Sequence, residues 1–264
     1  IDTATDDPQA YGGYNHTSVA GFFARINWSY KDRYMFEANG RYDGSSRFVG
    51  DERWGFFPSF SAGWNIANEE FFQKFGEKTK INTLKLRASW GQLGNTNTND
   101  AWYPFYQTMP TGSNYGWLVN GVRPNYSYNP GMVSLLKTWE TIETWDIGLD
   151  WGAFNNRLTG SFDYFVRHTK DMIGPAEAIP DIGGIAVDQR AKVNNATLRN
   201  RGWELSVNWS DQLKNGFSYG IGFNIFDYKA VVTKYNNPEG LIYNNHTGLV
   251  RNKGYYQGMD LGEI

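Results

Sequence analysis

The chain has 264 residues, no cysteine and a formal net charge of −2, with its charges dispersed along the sequence. That excludes a disulfide scaffold, thiolate metal sites and a polyanion-binding surface, so no nucleic-acid partner is expected. Aromatic residues make up 17% of the chain while mean hydropathy is −0.58, and no run reaches the roughly 18 to 20 apolar residues of a spanning helix.

Residues 1 to 17 are polar and rich in turn formers, and read as a loop. The first predicted strand runs from Val19 to Tyr30. Phe22, Ala24, Ile26, Trp28 and Tyr30 share one parity, with Phe23, Arg25, Asn27 and Ser29 on the other. Lys31 and Asp32 turn the chain into Tyr34–Tyr42. There Tyr34, Phe36, Ala38, Gly40 and Tyr42 alternate with Glu37, Asn39, Arg41 and, one step on, Asp43. Successive side chains of a strand point to opposite faces, so this stretch has one apolar, aromatic-ended face and one charged face. A strand between lipid and a watery lumen has this pattern.

A polar loop, GSSRFVGDER, leads to a third strand with Phe56, Pro58, Phe60, Ala62, Trp64 and Ile66 on one parity. Pro58 lacks a ladder donor, so a bulge or irregular bond is expected there. Asn68 to Lys78 reads as a helix, N-capped by Asn68 and stopped by Gly76. Leu84, Leu86, Ala88 and Trp90 mark a fourth strand, after which periodicity fails from Gly94 to about Lys137. Trp145, Ile147, Leu149 and Trp151 mark a fifth, and the turn AFNNR leads to a sixth over Leu158–Arg167. Residues 168 to 200 read as a long loop. Trp203, Leu205, Val207 and Trp209 mark a seventh strand, and SDQLKNG leads to an eighth over Phe217–Ile225. The remainder shows no obvious terminal strand.

The predicted connections after strands one, five and seven are short, and that after strand three is a compact helical turn. Those after strands two, four and six are longer. Short turns on one side and long loops on the other is the asymmetry of outer-membrane barrels, whose short turns face the periplasm. A soluble β-sandwich or propeller does not account for charged faces combined with that asymmetry.

Several phrases carry a family resemblance: RYMFEANGRYDGSSRF, WGFFPSFSAGWNIANEEFF, LKLRASWGQLGN and TWETIETWDIGLDWGAFNNRLTGSFDYFVRHTKDMI. In order and spacing they resemble the barrel of SusC/RagA-type TonB-linked (TonB-dependent) outer-membrane transporters through most of residues 18 to 235. NEEFF resembles the family's periplasmic turn and YDGSSRF its strand-to-extracellular-loop transition. The resemblance implies a barrel of about 22 strands, an N-terminal plug, a TonB-contacting segment and a SusD-like surface lipoprotein as lid. The expectation is an all-β chain, about 8 to 10 strands of such a transmembrane antiparallel barrel. Residues 1–264 would form part of the β-barrel domain, with plug and C-terminal strands outside the chain. A self-contained small barrel is the alternative, since about eight strands can close one.

No catalytic, cofactor or metal constellation emerges. His16, His168 and His246 fall in predicted loops without metal-ligand spacing. The best binding candidate is the aromatic loop carrying Trp102, Tyr103, Tyr106, Trp117, Tyr126 and Tyr128, whose rings offer broad contact with polar tips. The alternative is that these rings pack against each other or against a lid protein. Arg25, Glu37, Arg41, Lys85, Arg87, Asp146 and Asp163 are the expected lumen-facing charges. Trp28, Tyr30, Trp64, Trp151 and Trp209 are the expected membrane-interface aromatics. The functional expectation is a non-enzymatic importer segment in the outer membrane of a Gram-negative bacterium, surrounded by outer-membrane lipid. It would take up oligosaccharides or peptides under a SusD-like lid, energised through TonB. A passive pore or a structural, adhesin-like barrel is the rival class.

Overall fold

The computed structural model describes residues 14–96, 102–107, 109, 111–113, 118–122, 125–127, 130–174, 191–235, 241–243, 251–253 and 255–262. Its main body is one eight-stranded antiparallel sheet. The strands are β1 (Val19–Tyr30), β2 (Tyr34–Ser45), β3 (Trp54–Asn65), β4 (Ile81–Asn95), β5 (Glu140–Ala153), β6 (Leu158–Gly174), β7 (Val193–Gln212) and β8 (Ser218–Lys234). Each pairs with its neighbour in the chain, so β1 and β8 are the two edges of an unbroken meander. A helix, α1 (Glu70–Thr79), connects β3 to β4. All eight strands read from the alternation are present.

The register carries parity across the whole sheet. One row runs Ile26, Ala38, Phe60, Trp90, Trp145, Val166, Arg201 and Lys229. The next row, on the opposite face, runs Asn27, Glu37, Ser61, Ser89, Asp146, Phe165, Gly202 and Tyr228. Ile26 lies four residues (30 − 26) from the short-turn end of β1, whereas Lys229 lies eleven (229 − 218) from that of β8. The rows therefore climb from strand to strand, the stagger that a tilted barrel wall requires.

The short turns form as the sequence dictates. Lys31 and Asp32 both adopt φ 51°, and Arg33 N donates to Tyr30 O at 3.0 Å, closing the β1–β2 hairpin. Several local expectations need correction. Asn68 does not cap the helix: it lies in a 3-10 turn, and its Nδ2 donates to Asp32 O at 3.0 Å, while Glu69 takes the N-cap position. Nor does Gly76 end α1. It sits inside the helix, where a Cβ would come within 2.8 Å of Ile81 O, and the chain leaves through Lys80 at φ 59°. Pro58 produces no shift in the β2–β3 register. Instead the β3–β4 ladder stops one residue short of it, at Ser59 opposite Gly91, so the missing donor lies beyond the ladder. The long loop after β6 spans only 175–192, because both flanking strands run past the stretches in which apolar residues alternate; His168 lies within β6, not in a loop. After β8 the chain returns to the sheet, with Asp260 bridging Val231 and Val232 N donating to Met259 O at 2.9 Å.

Where β3 and β4 part, a small core fills the gap. Phe48, Phe57 and Trp139 are buried together, with Trp139 5.3 Å from Phe57 and 5.6 Å from Phe48 between ring centres. The Trp139 indole donates to Arg53 O at 3.1 Å, tying the start of β5 to the β2–β3 connection. By contrast, every residue of β1 is exposed, including Phe22 and Ile26. An apolar edge strand of this kind demands neighbours that shield it.

Below the short turns, Glu69 gathers three donors: Tyr34 OH at 2.7 Å, Trp64 Nε1 at 3.0 Å and Arg33 Nη1 at 3.2 Å. The hydrogen bond from Tyr34, then that from Trp64, holds its carboxyl below the ordinary range, against the opposing effect of burial. A depressed carboxylate pKa stabilises the fold fully above the unfolded value of about 4.3 and loses that contribution as pH falls through the folded value. Glu69→Gln is therefore expected to lower the thermal transition of the folded barrel at pH 7 and to converge with the parent once pH falls below the folded-state value of that carboxyl, read by heat-modified gel migration. Trp139→Ala is expected to cost about 3 to 5 kcal/mol in urea unfolding, from the cavity it leaves.

Candidate functional site

One face of the sheet carries a connected set of charges. Arg87 on β4 binds Asp150 of β5 through Nε and Nη2 at 2.8 and 2.9 Å, and its Nη2 also reaches Asp163 of β6 at 2.9 Å. Arg87, Gly148 and Asp163 lie in one register row, so the guanidinium must cross Gly148 to reach β6. A Cβ at Gly148 would meet Arg87 Nη2 at 2.7 Å and collide with the Asp163 carboxylate. Glycine at this point is what permits one arginine to span three strands. Asp146 stands on the same face, two residues from Gly148 along β5.

On the same face of β1 to β3, Arg25 Nε donates to Asn39 Oδ1 at 2.7 Å. Asn39 in turn donates to Glu37 at 2.8 Å and to Ser59 at 3.2 Å, and Arg41 pairs with Asp43 at 3.1 Å. Two adjoining hollows of about 400 and 540 Å³ lie over this face and share Glu37, Ser61 and Ser89. Lys85, Arg87 and Asp146 line the first, and Arg167 lines the second. The structure thus brings Arg25, Glu37, Arg41, Lys85, Arg87, Asp146 and Asp163 to a single face.

The opposite face is apolar and bordered by aromatics. Trp28, Tyr30, Trp64, Trp151 and Trp209 all lie on it, near the short-turn ends of their strands. Trp28 stacks on Tyr30 at 6.2 Å, and the Trp209 indole donates to Tyr219 OH at 3.4 Å. A second aromatic border, missed in the sequence, crosses the other end. Tyr42 stacks on Trp54 at 5.0 Å, Phe60 on Trp90 at 5.8 Å, and Trp90 lies 5.9 Å from Trp145. Their shared parity was the available signal.

The aromatic loop is only partly within the described residues. Trp102 and Tyr106 are exposed, and Tyr103 is on the margin of exposure. Tyr103 OH accepts the His16 N–H at 2.9 Å, and Tyr103, Phe105 and Tyr106 contact one another ring to ring. Trp117 and Tyr128 lie outside the described residues; the backbone of Tyr126 pairs with Gly112, and its side chain is not described.

The comparisons decide what this sheet belongs to. The family model for the TonB dependent receptor-like β-barrel matches residues 2–257. The chain belongs to that family. It is 33% identical over 241 residues to the TonB-dependent receptor SusC of Bacteroides thetaiotaomicron, covering 88% of this chain and 22% of that protein. It is 30% identical over 244 residues to the TonB-dependent receptor P3 of Formosa agariphila, covering 92% of this chain and 23% of that protein. The chain therefore spans less than a quarter of the length of these relatives. Among solved structures, the RagAB peptide importer in its 'open-open' state superposes with a TM-score of 0.71 at 24% identity, over 88% of this chain and 24% of that one.

Membership in the TonB-dependent receptor barrel family makes the eight strands a segment of a Gram-negative outer-membrane barrel wall, in a family of transporters rather than enzymes. It also accounts for the open edges: β1 and β8 do not pair with each other among the described residues. The charged face of this wall holds aromatics that the sequence reading passed over. Phe165 and Tyr228 flank Gly202 in one row, Phe226 follows on β8, and Phe226 and Tyr228 are well exposed. They stand on the parity opposite Ile225, so a strand ended at its last apolar residue hides them.

Gly148→Ala is expected to uncouple Arg87 from Asp163 while leaving its pairing with Asp150. Double-mutant cycles in urea unfolding should read about 1 kcal/mol for each partly exposed pair in the parent. They should read near zero for Arg87 with Asp163 in the Gly148→Ala background, and an unchanged coupling there would show that the glycine is not the bridge point.

Proposed function

We propose that this chain is wall and loop of an outer-membrane importer for oligosaccharides or peptides, with its charged face toward the lumen and its apolar face toward lipid. The observation that carries the reading is the continuous charged face, hollowed over Glu37, Lys85, Arg87 and Asp146, set back to back with an aromatic-bordered apolar face. Ion pairs such as Arg87 with Asp150 and Asp163 stiffen the wall, while Lys85, Phe226 and Tyr228 remain to meet plug or solute. The connections 96–139 and 175–192 both join strands at the same end of the sheet, and in the first of them Trp102, Tyr103 and Tyr106 present rings suited to the faces of sugars or peptides. Trp117, Tyr126 and Tyr128 belong to the same candidate set.

The names of the relatives support energised import: SusC is a TonB-dependent receptor, and the RagAB structure is of a peptide importer. By that likeness, a SusD-like surface lipoprotein closes over the loops, and a plug contacting TonB releases solute inward. The rival, a passive pore or structural barrel, shares the wall but needs no energy.

Uptake of fluorescent oligosaccharides and peptides by cells expressing the parent protein separates the two. Import that is abolished by loss of TonB or by a protonophore, and reduced several-fold by Trp102→Ala with Tyr106→Ala, is the expected result. Uptake that survives de-energisation would establish the passive pore, and no uptake of either class would leave the structural barrel.

A further inference from the structure

The outward face does not stay apolar to the ends of the strands. On β4 to β8 the apolar band closes with Trp90, Trp145, Val166, Trp203 and Ile225, and the next outward positions toward the long-loop end are polar. One row there runs Gln92, Glu143, His168, Arg199 and, on β8, Val231; the row below it ends in Arg201 and Lys229. These strands are 14 to 20 residues long, well beyond the roughly 9 to 11 that cross the hydrocarbon. Their outer ends therefore stand in the headgroup layer.

Height supports the same placement. Arg201 lies two residues above Trp203 and Arg199 four, roughly 7 and 13 Å along a strand, less when tilted. The headgroup layer of each leaflet is about 5 to 8 Å thick, so Arg201 stands within it and Arg199 at its outer limit. An aromatic border marks where that layer begins.

The cations of this band differ in their partners. Lys170 pairs with Glu143 at 2.8 Å, and Lys229 with Asp260 at 2.7 Å. Arg199 and Arg201 have no ion pair within 4 Å among the described residues; Asp227, outward and below Lys229, is the acid standing nearest in register. Arg199 Nε and His168 Nδ1, cross-strand neighbours, are shielded from water without a hydrogen-bond partner. Leaving such groups unbonded is costly, and an anion at their edge relieves it. Guanidinium groups match phosphate oxygens in a two-pronged geometry.

We propose that Arg199 and Arg201, with His168 beside them, form a site on the lipid-facing rim for the phosphate of a lipid headgroup in the outer leaflet. The site rests on the face assignment proposed above. It would hold the segment at a fixed height in the membrane and tether the rim of β6 to β8.

The test uses the full-length parent transporter in detergent, with native mass spectrometry counting bound lipid. The probes are monophosphoryl lipid A and the same lipid with its phosphate removed. The parent is expected to retain the phosphorylated form at least tenfold better. R199Q/R201Q, folded by heat-modified migration, should lose most of that preference, whereas R25Q on the charged face should keep it. Equal retention of both probes by the parent overturns the proposal without need of any variant. Full displacement by millimolar inorganic phosphate would also overturn it, marking a free-anion site. Loss of the preference in R25Q instead of R199Q/R201Q would contradict the face assignment itself.

Discussion

A strand crossing a membrane must satisfy every backbone amide and carbonyl within the protein, because hydrocarbon offers no partner. A sheet meets that demand through its ladders, and everything else in this segment follows from the ladder's geometry. The side-chain period of two separates residues by face, so Glu37, Asn39 and Arg41 can coexist with Phe36, Ala38 and Tyr42 on one strand. The ladders also explain the edges. β1, exposed along its whole length, is tolerable only as part of a larger wall whose next strand completes its bonding.

Within that constraint, small residues set where charges can meet. Gly148 lets Arg87 lie flat across β5 and reach two acids on different strands. The loss of side-chain packing at a strand glycine is offset here by a link that no longer side chain would permit. At the long-loop end a different device operates. β3 and β4 separate above Ser59, and Phe57, Phe48 and Trp139 close the gap with an apolar core drawn from three separate segments. The wall is thus tied by ion pairs along the ladders of its charged face and by a small apolar core where β3 and β4 part.

Much of this was legible in the sequence, because alternation is a strong local signal wherever one face is apolar. Every strand of the eight-stranded sheet was found by it, whereas the three-residue strands Thr111–Ser113, Asn125–Ser127, Leu241–Tyr243 and Arg251–Lys253 are too short to show a period. Local turn and helix signals gave the hairpin at Lys31–Asp32 and the helix after β3. What escaped did so for physical reasons. The outer ends of β6 and β7 leave the apolar band, so His168, Lys170, Arg199 and Arg201 have no apolar partners in alternation and resemble loop. Phe226 and Tyr228 break the expected polarity of their face. Asn68 has a good capping side chain, but Asp32 O competes for it across the turn. The charged set was visible as residues, whereas the bridge over Gly148 depends on cross-strand register, which one sequence does not state.

Every feature of this wall requires that its strands separate lipid from water. The most direct measurement is spin-label accessibility at each position from Tyr34 to Asp43 in the parent transporter reconstituted in liposomes; this segment contains no cysteine of its own. Labels at 34, 36, 38, 40 and 42 should collide with oxygen, and those at 35, 37, 39, 41 and 43 with a water-soluble nickel chelate. Equal access of the nickel chelate to both sets would contradict the membrane wall.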